Sequence, residues 1–121
     1  MIYQVSITEQ ADADLRGVYD HIAFGLCSPD NAAGQLDRLE EHIIGLEYFP
    51  EKYKSYEKEP WHSRGLRVMP VDNYLVFYIP DKETKIVTVI RVMYAGRDVD
   101  DQLIKHTEKS DIDHFIRQKK E

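Results

Sequence analysis

The chain of 121 residues is long enough for one domain with a buried core and short for two. Its hydrophobic content of 42% and charged content of 31% are typical of a globular protein, and no apolar run approaches the ~20 residues that span a bilayer. The N-terminus has no leader-like pattern, so we expect a cytoplasmic protein without a membrane partner. The net charge of −6 argues against a generally basic nucleic-acid binder.

Charged residues are unevenly distributed along the chain. Residues 1–50 carry nine acids and two bases, whereas residues 51–69 carry three acids and five bases. An acidic face and a basic face are therefore both possible. The single cysteine, Cys27, forms no internal disulfide, and the five histidines lack the spacing of a metal site, so we expect no metal and no cofactor.

The first elements are a strand and a helix. Residues 2–8 are rich in β-branched and aromatic types and alternate with more polar ones, which predicts a strand. Thr8 is a favourable N-cap for a helix whose first turn carries Glu9 and Asp12. Apolar residues then recur every three or four positions and form one stripe of Leu15, Val18, Tyr19, Ile22 and Leu26.

A second helix follows after a short break. Ser28, Pro29 and Asp30 are typical of a helix N-terminus, and Pro50 is expected to end the helix. Because the join is short, the two helices should form an antiparallel hairpin. The apolar stripe of the second helix consists of Leu36, Leu39, Ile43, Leu46 and Phe49.

The second half of the chain is predicted to form strands. Residues 51–60 are charged and have no useful period, which predicts a connecting loop. β-type runs follow at 66–69, 74–79 and 85–93, separated by turn residues, so we expect an antiparallel meander. The last run is apolar on both sides and is expected in the sheet centre, where both faces are covered.

The predicted order is β-α-α-β-β-β with a short C-terminal helix at 99–106. Each helix has one apolar stripe to bury, so the hairpin should pack on one face of a twisted, mainly antiparallel sheet. We therefore expect an α+β fold, with a single domain at residues 1–106. Residues 107–121 are expected to be a charged C-terminal extension that is mobile or depends on a partner.

Three segments occur in a suggestive order: ITEQADADLRGVYDHI, GLRVMPVDNYLVFYIP and VIRVMYAGRDVDDQL. Together they resemble the RelE/ParE family of type II toxin–antitoxin systems, also known as plasmid stabilisation proteins, and the first two are closer to ParE than to RelE. The resemblance implies a RelE/ParE-like fold and a growth-inhibiting toxin with no small-molecule substrate. It also implies a cognate antitoxin that neutralises the toxin.

The family divides by target. ParE-type members bind DNA gyrase and stabilise its cleaved-DNA complex, whereas RelE-type members are mRNA interferases, endoribonucleases that cut mRNA on the ribosome. Nuclease members place an arginine in the middle strand and a tyrosine in the final helix, where this chain has Leu75 and Leu103. Arg97 matches the arginine that follows the last strand. The resemblance therefore favours a gyrase inhibitor over an enzyme, with a ribosome-dependent nuclease and a non-toxic antitoxin-binding module as alternatives.

Four arginines and two aromatic residues are candidates for contact with the target or antitoxin: Trp61, Arg64, Arg67, Arg91, Tyr94 and Arg97. Strand alternation suggests that Arg67 and Arg91 share one face, which would be a partner or phosphate surface. Pairing of the four arginines with Asp72, Asp98 or Asp100 inside the domain, or with acidic residues of the antitoxin, is an equally good alternative.

A nuclease would need a different set of residues. It would require an acid and a base beside the scissile phosphate and a cation to hold its charge. His62 and Tyr94 are the candidates for the acid–base pair, and Arg97 would orient the phosphate. Trp61 either anchors a partner or packs over the sheet edge.

Overall fold

The computed structural model describes residues 2–95 and Leu103. The helices are α1 (Glu9–Asp20) and α2 (Pro29–Ile44), and the strands are β1 (Gln4–Ile7), β2 (Lys54–Ser55), β3 (Arg67–Val71), β4 (Tyr74–Asp81) and β5 (Ile86–Tyr94). Leu103 is helical, but the rest of the predicted helix at 99–106, the extension at 107–121 and Arg97 lie outside the described residues.

Within residues 2–95, the strands form one sheet in the order β1-β5-β4-β3-β2. β1 runs parallel to β5, and the other neighbours are antiparallel. The predicted α+β class and the meander are confirmed, and β5 is buried on both faces, as its continuous apolar sequence predicted. The prediction of a loop without secondary structure at 51–60 is wrong in part, because this segment contains β2, which pairs with β3.

The predicted start of α1 is confirmed. The hydroxyl oxygen of Thr8 accepts a hydrogen bond from the backbone N–H of Ala11 at 3.1 Å, as an N-cap residue does. The helix continues as a π-helical turn, His21–Gly25. The α-helical spacing that defined the predicted apolar stripe is therefore lost before Leu26, its last residue. Leu26 is consequently 61% exposed.

Helix α2 begins at Pro29 as predicted, but neither its N-cap nor its C-terminal end matches the prediction from the sequence. The Ser28 side chain makes no bond to the helix backbone and instead accepts one from the Asn31 side chain at 2.7 Å. The prediction that Pro50 ends this helix is wrong, because α2 ends at Ile44 and a 3-10 turn, Gly45–Glu47, follows. Phe49 has a left-handed backbone (φ 51°) and is 73% exposed. Phe49 is therefore not part of the buried stripe that the sequence predicted.

Buried side chains of the described residues pack on both faces of the sheet. The helix-face cluster joins α1 and α2 to the sheet and contains residues such as Leu15, Leu39, Ile43, Val76 and Tyr78. The far-face cluster lies on the opposite side and consists of Trp61, Leu66, Phe77, Ile79, Ile90, Met93 and Leu103. This second layer is the physical reason why β4 and β5 carry apolar residues on both sides.

Candidate functional site

Arg91 forms a buried ion pair with Asp14 of α1. Its Nε lies 2.7 Å from one Asp14 oxygen and its terminal nitrogen 3.0 Å from the other. The side chains of Arg91 and Asp14 are only 9% and 15% exposed. The structure therefore places this candidate binding residue in an intramolecular contact, although its partner is Asp14 and not one of the aspartates considered from the sequence.

Arg67 holds the segment that precedes β2. Its guanidinium donates to the backbone oxygens of Glu51 and Tyr53 at 3.0 and 2.6 Å. Arg67 lies opposite Tyr78 on β4, and the hydroxyl of Tyr78 donates to the Pro50 backbone oxygen at 2.5 Å. Burial raises the pKa of Tyr78, so its hydroxyl remains a donor. Arg67 thus fixes the chain around residues 50–53.

The N-terminal strand contributes to the same tether. The Tyr3 hydroxyl donates to a Glu51 carboxylate oxygen at 2.6 Å. This bond, with a further contribution from burial, raises the pKa of Tyr3 to about 12. It also holds the pKa of Glu51 below its ordinary value. Tyr3 and Arg67 therefore anchor a charged segment that the sequence alone presents as a loop.

Trp61 and Arg64 lie on the far face of the sheet. The Trp61 ring is 6% exposed and belongs to the far-face cluster, so it packs within the domain. The Arg64 guanidinium lies 5.7 Å from the centroid of the Trp61 ring, a cation–π contact. His62, next to Trp61, is exposed.

Tyr94 is the candidate residue that projects most clearly from the described domain. Its ring is 48% exposed and meets Tyr74 edge to face, with centroids 5.8 Å apart. Tyr74 is buried in the helix-face cluster, and burial raises its pKa. Tyr94 therefore lies on the helix face, whereas the segment that carries His62 packs on the far face, so the structure does not bring this proposed acid–base pair together.

A cleft of about 280 Å³ opens between α1 and the end of β5. Asp14 and His21 from α1 line it, together with Tyr74, Arg91 and Tyr94 from the sheet. The cleft thus combines an ion pair, an imidazole and two tyrosine rings. Arg97 follows this strand in the sequence but lies outside the described residues.

The sequence did not point to a groove between the two helices. This hairpin groove has a volume of about 550 Å³ and an apolar floor that includes Leu15, Leu36 and Ile43. Ile7 and Ile44 at its side are 42% and 58% exposed. The sequence does carry one signal for this groove. Ile44 is an apolar residue outside the predicted stripe of the second helix, and it is exposed in the structure. Charged residues at the rim are Asp12, Arg16, Asp20 and Glu40.

Among residues 2–95 and Leu103, no three His, Cys, Asp or Glu side chains are grouped so that they could hold a metal ion. None of the helices described has the length and apolarity needed to cross a bilayer.

The sequence was compared with known protein families. A profile of the ParE toxin of type II toxin–antitoxin systems, parDE, matches residues 5–99. The chain belongs to the ParE toxin family. It is therefore a toxin of the type II toxin–antitoxin class, as the sequence resemblance predicted. No curated protein sequence matches it significantly.

Solved structures of related toxins share the fold of this ParE-family toxin. The chromosomal ParDE system from P. aeruginosa matches with a TM-score of 0.64 and 18% identity, over 77% of this chain and 96% of that chain. A mutant of E. coli RelE in the free state gives 0.60 and 16%, over 87% and 97%. The RelBE toxin–antitoxin complex from Mycobacterium tuberculosis gives 0.57 and 23%, over 78% and 92%. Both toxin types occur among these matches, so the shared fold does not distinguish their activities.

Proposed function

We propose that this ParE-family toxin binds DNA gyrase and stabilises the complex of gyrase with cleaved DNA. The observation that carries the proposal is the match of the ParE toxin profile over residues 5–99. Such a toxin needs no catalytic group, because binding energy that favours the cleaved state shifts the population of gyrase without a chemical step by the toxin.

The positions of the arginines support this target over RNA. A nuclease needs cations directed at the phosphate. Arg91 is instead directed at the Asp14 carboxylate, and Arg67 is directed at the backbone oxygens of Glu51 and Tyr53. The charge of these two arginines is thus used inside the domain, and the chain as a whole has a net charge of −6.

The separation of His62 and Tyr94 supports the same choice. General acid–base cleavage needs both groups within hydrogen-bond reach of one phosphate. Tyr94 contacts Tyr74 on the helix face, whereas Trp61, the neighbour of His62, is buried in the far-face cluster. We propose that Tyr94 and the adjoining Arg97 form part of the surface that contacts gyrase.

The test compares gyrase and ribosome directly. Purified toxin is added to DNA gyrase with supercoiled plasmid, and in parallel to ribosomes programmed with mRNA. We expect loss of supercoiling activity and accumulation of cleaved DNA, with the mRNA intact. Ribosome-dependent mRNA cuts without DNA damage would establish the nuclease alternative. Absence of both effects, together with retained antitoxin binding, would establish the non-toxic module.

The Arg97→Ala variant tests the proposed contact surface. We expect a weaker inhibition of gyrase, because a charged contact is lost, with an unchanged circular dichroism spectrum. Lys82→Ala is the matched control, since it also removes one exposed positive charge but lies in the turn between β4 and β5. Equal inhibition by Arg97→Ala and wild type would remove Arg97 from the contact surface.

We also propose that a segment of the cognate antitoxin covers the hairpin groove. The groove presents an apolar floor and the exposed side chains of Ile7 and Ile44, which a partner helix or strand would bury. A second hollow of about 630 Å³, lined by Ile2 and Val5 among others, shares Ile7 and Ile44 with it. The apolar surface is therefore continuous along the open edge of β1.

An Ile44→Glu variant tests the antitoxin surface. Placing a carboxylate in the groove should weaken binding of the antitoxin encoded beside the toxin, measured by titration calorimetry, while inhibition of gyrase by the toxin alone is retained. Phe24→Glu is the control, because Phe24 is 74% exposed and lies outside the groove. Equal antitoxin affinity of the two variants would place the antitoxin elsewhere.

A further inference from the structure

The Asp14 carboxylate joins α1 to the end of β5 through three hydrogen bonds among the described residues. Two come from the Arg91 guanidinium, at 2.7 and 3.0 Å, and the third comes from the backbone N–H of Val92 at 2.9 Å. The bond to Val92 fixes the backbone as well as a side chain. One carboxylate thus holds two consecutive residues of β5, Arg91 and Val92, which follow Asp14 by 77 and 78 positions in the sequence.

These bonds occur where β5 departs from regular pairing. Phe77 on β4 lies opposite Arg91, but the next residue, Tyr78, lies opposite Val89, so Ile90 is an extra residue in β5. Such a bulge turns the strand and increases its local twist. Asp14 supplies the acceptor for Val92 just after this irregularity.

The strand held in this way carries Tyr94 two residues later. Tyr94 is still paired with Tyr74 across the sheet and meets its ring edge to face. Asp14, Arg91 and Tyr94 line the same cleft. Only Met93 separates Val92, which bonds to Asp14, from Tyr94.

The energetics of a buried ion pair point to a role other than stability. Removing two charges from water costs several kcal/mol per ion in general, and apolar residues of similar volume are often as stabilising. A buried pair with good geometry can instead specify one local conformation. In this chain the Asp14–Arg91 pair lies beside the bulged end of β5.

We propose that Asp14 is a positioning residue, which through Arg91 and Val92 sets the place of Tyr94 for contact with the toxin's target. Asp14 itself does not touch the target in this proposal. The proposal rests on the proposed function in that Tyr94 belongs to the contact surface. It predicts that a variant at this site can lose the position of Tyr94 and still fold.

The double variant Asp14→Leu with Arg91→Met separates the two. It removes the acceptor of all three hydrogen bonds, and no buried charge is left without its partner. We expect cooperative thermal unfolding with a melting temperature lowered by no more than about 10 °C, loss of the Tyr74–Tyr94 ring contact in NMR spectra, and a loss of gyrase inhibition of about tenfold. Arg91→Lys, which keeps the charges but not the two-pronged geometry, should fold and lose part of the inhibition.

A mild core truncation, Ile79→Val, is the control for altered stability. Ile79 is buried in the far-face cluster, away from the cleft and the hairpin groove, so this variant should retain the inhibition of wild type. Full inhibition by folded Asp14→Leu/Arg91→Met, or by folded Arg91→Lys with an undisturbed Tyr74–Tyr94 contact, would overturn the positioning role. Growth arrest on induced expression is measured in parallel, because it does not assume gyrase as target. If wild-type toxin arrests growth without inhibiting gyrase, the proposed target fails, and the growth assay still decides the role of Asp14.

Discussion

Replacing Tyr3 with phenylalanine removes one hydroxyl that links β1 to the segment before β2. The hydroxyl donates to Glu51 at 2.6 Å, and the pKa of Tyr3 is raised from its usual value of 10.0 to about 12. A hydrogen bond to a charged group contributes about 1.5 to 3 kcal/mol in a protein. Because Glu51 retains contact with solvent, we expect Tyr3→Phe to lower the free energy of unfolding by about 1 to 2 kcal/mol at pH 7.

The sign of the pH dependence follows from the same bond. The raised pKa of Tyr3 means that its contribution is complete below pH 10.0 and is lost as the pH rises through about 12. The lowered pKa of Glu51 means that its contribution is complete above the usual value of 4.5 and is lost as the pH falls through the folded value. The difference between wild type and Tyr3→Phe should therefore be largest between these limits and shrink on both sides.

Urea denaturation followed by circular dichroism across this pH range measures the difference. Tyr48→Phe is the matched control, because Tyr48 is 53% exposed and removal of its hydroxyl should leave the unfolding midpoint almost unchanged. The reasoning is refuted if Tyr3→Phe unfolds at the wild-type urea concentration at pH 7. It is also refuted if the gap between the two proteins stays constant at alkaline pH.

The remaining predictions concern stability and are measured by the same denaturation assay. Gly17→Ala should stabilise the toxin by up to about 1 kcal/mol, because Gly17 lies inside α1 and nothing lies within 4 Å of an added Cβ; a loss of stability would contradict this. Leu39→Ala, in a fully buried position, should cost about 2 to 5 kcal/mol. Leu75→Ala should cost less, about 1 to 2 kcal/mol, because Leu75 is only half-buried; equal losses would contradict the burial argument. Asp14→Asn alone should cost about 3 kcal/mol or more by leaving Arg91 buried without its carboxylate, and a wild-type midpoint would contradict this.

Contacts made over a short stretch of chain could be predicted from the sequence. The Thr8 cap of α1 depends on Thr8 and the three residues that follow it, and the start of α2 depends in the same way on Pro29 and its near neighbours. The strands β3 to β5 are short runs separated by local turns, so their order as a meander also follows from sequence. The family resemblance rests on the same segments and was confirmed by the match over residues 5–99.

The sequence by itself thus determined the element order, the α+β class and the ParE-family membership, because these depend on local periodicity and on motifs in the right order. Only the tertiary structure decided how charges are paired. Arg91 could have met any of several carboxylates, and its partner Asp14 lies 77 residues away. The bulge at Ile90, the tether at Glu51 and the hairpin groove likewise arise from packing between distant elements, which no short-range pattern encodes.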